Sequence, residues 1–178
     1  MSKALSFRGK DEETAMHRTL LIVVGLVGVA ATASAQNGPR FSLGYAYLKT
    51  LESGGGSAPV GAYVSLSGAG STTLEIDGGY HRDKEGGVTL KTFTVTGGPR
   101  FGFSDYRGGS GPFMHVLGGL RHDSIEGSSS TSYGGMAGVG VDLGTSASVA
   151  VRLGADFQIF WNHGENVKTL RLIAGLTF

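Results

Sequence analysis

From Arg40 to Phe178 the chain alternates apolar and polar residues with a period of two, and the charges at segment centres share one face. That period marks extended strands whose two faces meet different surroundings. The alternating segments are Arg40–Leu51, Val60–Ser67, Thr73–His81, Thr92–Phe103, Pro112–His122, Tyr133–Leu143, Val149–Trp161 and a last strand ending at Phe178. In Val149–Trp161, for example, Val151, Leu153, Ala155, Phe157 and Ile159 oppose Arg152, Asp156 and Gln158. Pro112–His122 is less regular, because Phe113 and Leu117 fall on its polar side. Eight strands joined as hairpins predict an all-β fold, an eight-stranded antiparallel up-and-down transmembrane β-barrel.

Charge placement chooses the outward face. Glu75, Asp77, Asp142 and Asp156 stand against Arg100, Arg121, Arg152 and Arg171, with His115 nearby. A soluble lipocalin-like barrel would wet this face and tolerate any mixture of charges; a narrow lumen requires balance and favours arginine, whose planar fork pairs with carboxylates. Arginine at a bilayer midplane costs about 2–4 kcal/mol, so turning four of them toward lipid would cost about 8–16 kcal/mol. These nine residues are therefore expected to form a lumen charge network. Aromatics fall into two belts, Phe41, Phe101, Phe103 and Phe178 at one end and Tyr47, Tyr80, Phe93, Tyr133, Phe157 and Trp161 at the other, as at two membrane interfaces. Glycine, 32 of 178 residues, suits the inside of a tight cylinder. Pro99, inside a strand beside Gly97 and Gly98, predicts a bulge.

The first 35 residues read as an address. Leu20–Ala31 is a twelve-residue apolar run preceded by His17 and Arg18 and followed by Ala33-Ser34-Ala35. That order predicts a cleaved signal peptide over 1–35, with Met16 an alternative start, and a barrel domain over 36–178. The run falls short of the ~20 residues a transmembrane helix needs. Residues 36–178 then carry 11 acids and 11 bases. This balance gives no electrostatic footprint for nucleic acid. With no cysteine, disulfides, thiolate metal sites and a Cys nucleophile are excluded.

The final TLRLIAGLTF alternates Leu170, Leu172, Ala174 and Leu176 and ends on Phe178. It resembles the terminal strand of bacterial outer-membrane barrels. With TFTVTGGPRFGF, GPFMHVLGGLRH and MAGVGVDLGTSASVAVRLGADF, the chain resembles the small outer-membrane β-barrel superfamily of the OmpA transmembrane domain and OmpX-like proteins. Within it, Gly98–Phe101, Pro112-Phe113-x-His115 and VRLGADF look like one group of uncharacterised outer-membrane barrels. The resemblance covers nearly all of 39–178. It implies location in the outer membrane of a Gram-negative-type bacterium, contact with outer-membrane lipid and lipopolysaccharide, and recognition of the five C-terminal assembly-signal residues by the barrel-assembly machinery. The peptidoglycan-binding domain of full OmpA proteins is expected to be absent.

Chemistry is sparse. His122-x-Ser124 is similar to the His-x-Ser pair of lipid A deacylases, but the next strand offers no acid before Asp142, and a His–Ser pair needs a fixed carboxylate. His81, His122 and His163 near one rim are weak grounds for a metal site. No catalytic residue, cofactor or metal is expected. Eight strands leave an interior just wide enough for side chains, so the charge network reads as a plug rather than a permanent pore. The loops Glu52–Pro59 and Glu126–Tyr133 are small and polar and lack aromatic anchors. The leading expectation is a monomeric, non-enzymatic outer-membrane barrel with a structural or surface-interaction role. Its rivals are a narrow or gated ion channel, a lipid A-modifying enzyme and a soluble exported lipocalin-like binder; any loop partner is unspecified.

Overall fold

The computed structural model describes residues 38–51, 59–85, 87–103, 110–125, 128–144, 149–162 and 165–178, the side chains of Glu85, Asn162 and Glu165 excepted. The alternating segments become strands β1 Arg40–Thr50, β2 Val60–Ser67, β3 Thr72–Glu85, β4 Val88–Gly102, β5 Gly111–Ile125, β6 Ser128–Gly144, β7 Ala150–Asn162 and β8 Glu165–Thr177. Each pairs antiparallel with the next, and β1 also pairs with β8, closing an up-and-down barrel. Starting from Arg40, the level residues round the wall are Ser67, Glu75, Gly98, Leu117, Met136, Gln158 and Thr169, and the circuit returns at Thr50. That stagger, from position 40 to position 50, tilts the strands by about 35–45° and sets a narrow interior. The expected signal segment 1–35 and the start at Met16 lie outside the described residues.

Burial assigns the faces. Leu74, Ile76 and Tyr80 are exposed, while their neighbours Glu75, Asp77 and His81 on the other face are buried. The same inversion holds on β7, where Leu153 and Phe157 face out and Arg152, Asp156 and Gln158 face in. Among the described residues, Ala46, Tyr63 and Ile173 form a small apolar cluster in the interior. A soluble fold hides its apolar side chains from water; this one places them on its outer wall.

Two details differ from the sequence reading. Strands β3 to β6 and β8 run further than the alternation predicts, and Ser128–Ser132, expected as loop, is strand. The projecting hairpins have polar residues on both faces, so period two fades there although the pairing continues from Arg121–Ser132 to Ile125–Ser128. Pro99 forms no bulge. Gly97 stays level with Gly118 and Arg100 with His115, while pairing to β5 lapses over Gly98 and Pro99 between them. The missing N–H interrupts the ladder without inserting a residue. Phe113 and Leu117, on the polar side of β5 as the sequence places them, are buried inside with the charges.

Candidate functional site in the barrel lumen

Inward positions on six strands bring eight charged groups into one connected chain of alternating sign. Asp77 on β3 accepts from Arg171 Nη1 at 2.7 Å and Nη2 at 3.2 Å. Arg171 Nε donates to Asp156 Oδ2 at 2.6 Å. Asp156 Oδ1 and Glu75 Oε2 flank the two ring nitrogens of His115 at 2.9 and 3.0 Å. Glu75 Oε1 meets Arg152 Nη1 at 3.3 Å, and Arg152 holds Asp142 through Nε at 2.8 Å and Nη2 at 3.0 Å. Asp142 Oδ2 accepts from Arg100 Nη2 at 2.9 Å, and Arg100 Nε lies 3.6 Å from Glu75 Oε2, closing the circuit.

All eight side chains are buried. Placing ions here is tolerable only because each charge meets its opposite with directed hydrogen bonds. An imidazole that donates from both nitrogens is the imidazolium. With His115 in that form, four positive groups face the four carboxylates. His115, not Arg121, holds the fourth place facing these carboxylates. Arg121 sits higher and donates from Nε to Asp123 Oδ2 at 2.8 Å and from Nη1 to Thr169 Oγ1 at 3.1 Å. Asp123 also accepts from Thr92 Oγ1 at 2.6 Å.

Several bonds join strands that are not neighbours in the wall: β3 to β8 through Asp77–Arg171, β3 to β5 through Glu75–His115, and β5 to β7 through His115–Asp156. These are struts across the cylinder. The ladder bonds run around it. Each strut restrains the cross-section, which the ladder alone leaves free to flatten.

Period-two reading of the sequence does not reveal three contributors. Ser65 Oγ accepts from Arg152 Nη1 at 3.0 Å. The Phe113 ring lies against two guanidinium groups, its centroid 4.3 Å from Arg100 Cζ and 4.7 Å from Arg152 Cζ, giving each an apolar contact as well as its hydrogen bonds. A Cβ at Gly138 would fall on Asp156 Oδ1 and lie 2.7 Å from His115 Nε2, so this glycine makes room for the His115–Asp156 bond. Gly138→Ala should push the two apart and lower stability by about 2 kcal/mol, the scale of one charge-assisted hydrogen bond. The urea midpoint of the barrel in detergent reads this out; an unchanged midpoint would show that the bond is dispensable.

The remaining candidates separate. His81 faces inward and neither ring nitrogen finds a hydrogen-bond partner among the described residues, whereas His122 faces outward and its Nδ1 lies 2.9 Å from Thr131 Oγ1. They do not converge, His163 lies outside the described residues, and no metal-holding group of three occurs among the described residues. His122 and Ser124 share the outward face, while Asp142 is level with Gly111 at the far end of β5. Leu170, Leu172, Ala174 and Leu176 form the outward side of β8, and Phe178 exchanges backbone hydrogen bonds with Phe41 of the first strand.

No protein-family model matches the chain, and no curated protein matches it. Solved structures share its fold. Neisserial surface protein A superposes with a TM-score of 0.64 at 20% identity, covering 78% of this chain and 95% of that one. Ail, the attachment invasion locus protein of Yersinia pestis, gives 0.57 at 20% identity over 79% and 97%. The outer membrane protein OprG from Pseudomonas aeruginosa gives 0.54 at 9% identity over 78% and 93%. At these identities the likeness is one of architecture, the closed eight-stranded barrel that the sequence resemblance implies.

Proposed function

We propose that the chain is a monomeric outer-membrane barrel of a Gram-negative-type bacterium, exported by a cleaved signal, whose lumen is plugged by its own neutralised ions. Its role in this reading is structural or surface-interacting rather than catalytic. One observation carries it: the described outer wall is a band of Leu, Val, Ile, Tyr and Phe, while the buried positions hold Arg, Asp, Glu and His. Water would reject that wall and lipid would accept it. Likeness to the fold of three outer-membrane or surface proteins supports the same location. Recognition of β8 by the assembly machinery belongs to this proposal.

Size and bonding support the plug. An eight-stranded barrel has room for side chains alone, and here Arg152 and Arg171 span it, at 1% and 0% exposure. Rearranging one strut would leave partners uncompensated, which opposes gating. The purified protein should require detergent for extraction, migrate differently on gels before and after heating, and give no steady conductance in planar bilayers. Buffer solubility would overturn the membrane reading. A reproducible ohmic current would overturn the plug and favour a narrow channel.

A further inference from the structure

Among the described residues, His81 and His115 face the lumen, and their surroundings are opposite. His115 lies between Asp156 and Glu75 and takes the charged form. His81 stands on β3 toward the end away from the chain termini. It is 0% exposed, and neither ring nitrogen finds a hydrogen-bond partner among the described residues. The fold makes room for this ring. A Cβ at Gly79, one inward step below, would lie 3.0 Å from His81 Cε1 and 2.6 Å from Thr94 Oγ1. Gly61, level with His81 on β2, has no side chain either.

The charges that act on His81 are the guanidinium groups of Arg171 and Arg121. The strands on either side offer it no acid: β2 presents Gly61 and Tyr63, and β4 presents Thr92 and Thr94. The acids on its other sides are engaged. Asp77 and Asp156 hold Arg171, and Asp123 accepts from Arg121 and Thr92. Asp83, one inward step toward the rim, accepts from the Lys84 amide at 2.7 Å. A neutral imidazole suits this place, because the Thr94 hydroxyl, which also finds no partner among the described residues, can answer either a donor or an acceptor. An imidazolium does not. It carries two N–H donors that need acceptors, and its charge meets two cations where His115 meets two carboxylates.

We propose that His81 is an acid-sensitive latch: the neutral ring closes the lumen at the end away from the termini, and its protonation loosens that end while His115 and the ion circuit below hold the plug shut. The inference rests on the plugged lumen and not on the membrane around it. Its direction with pH follows from proton uptake. The unfolded chain binds a proton at His81 near pH ~6.5 and the folded chain does not, so stability is lost as pH falls below that value.

The test compares equilibrium unfolding in urea of the detergent-refolded wild type and H81F, whose ring is of similar size and takes no proton. Carboxylate protonation is common to both proteins. Between about pH 7.5 and about pH 4.5, the folded-to-unfolded ratio of wild type should fall about 100-fold further than that of H81F. Nitrogen NMR of the wild-type rings should show His81 neutral at about pH 5.5, where His115 carries both protons. If H81F does not give the heat-modifiable form, H81N takes its place in the comparison, and the ring spectrum decides on wild type alone. Equal pH dependence of the two proteins, or a His81 ring half-protonated near pH ~6.5, overturns the latch. Should Arg171→Met still destabilise the barrel in that case, the plug stands without its latch; should it not, both fall.

Discussion

Arg171→Met is expected to destabilise the folded barrel by about 3–5 kcal/mol, the cost of leaving a buried charge without its partner. Arg171 is fully buried and, among the described residues, is the cation that bonds Asp77, while also holding Asp156. Asp156 keeps His115 after the substitution. Asp77 keeps no charged partner among the described residues, and the β3–β8 strut is gone. Methionine fills similar length but cannot donate, so the loss is electrostatic rather than a cavity. Equilibrium unfolding of the detergent-refolded protein in urea measures it, with the heat-modifiable band as the check on folding.

The double variant D77N/R171M separates charge from packing. Removing both ions should restore most of the loss, to within about 1–2 kcal/mol of wild type, because replacing a buried ion pair by neutral groups is often nearly neutral. Should R171M unfold at the wild-type midpoint, the lumen would be wet enough to solvate Asp77. The plug would then be wrong. Should D77N/R171M be no better than R171M, the arginine would be acting through packing and not through its charge.

How far sequence alone reaches can be read at particular positions. Arg152 and Leu153 sit on opposite faces because alternation and the cost of charge in lipid together admit one arrangement, so strand number, facing and closure follow from pattern. Partner choice does not. Arg121 and Arg171 occupy equivalent inward positions and look interchangeable as letters, yet one binds Asp123 on its own strand and the other spans to β3. The difference comes from the stagger of the barrel, which decides the residues that share a level and is a sum over all eight registers. Phe113 is hidden for a related reason: its contact with Arg100 and Arg152 joins three strands.

Closure itself depends on positions where no side chain fits, and Gly44→Ala should test it most severely. A Cβ on Gly44 would fall on the Ala174 carbonyl oxygen and on Gly175 Cα, and one on Gly175 would fall on the Leu43 carbonyl oxygen and 2.8 Å from both Gly44 Cα and Tyr63 Oη. Gly44 and Gly175 face each other across the β1–β8 seam that joins the two ends of the sheet. The obstacles at Gly44 are backbone atoms, so no rotamer change relieves them. The same close approach recurs inside the wall, where a Cβ on Gly119 would fall on the Val95 carbonyl oxygen. Strong local coiling at small residues is how a short sheet curls far enough to meet itself. Gly44→Ala should therefore cost more than the ~1–3 kcal/mol of ordinary overpacking, and Gly44→Val should abolish the compact, heat-modifiable form. Ala174→Val, exposed on the outer side of the same seam, should leave refolding yield and midpoint near wild type. A Gly44→Ala protein that refolds with wild-type yield and midpoint would mean that β1 and β8 do not approach this closely.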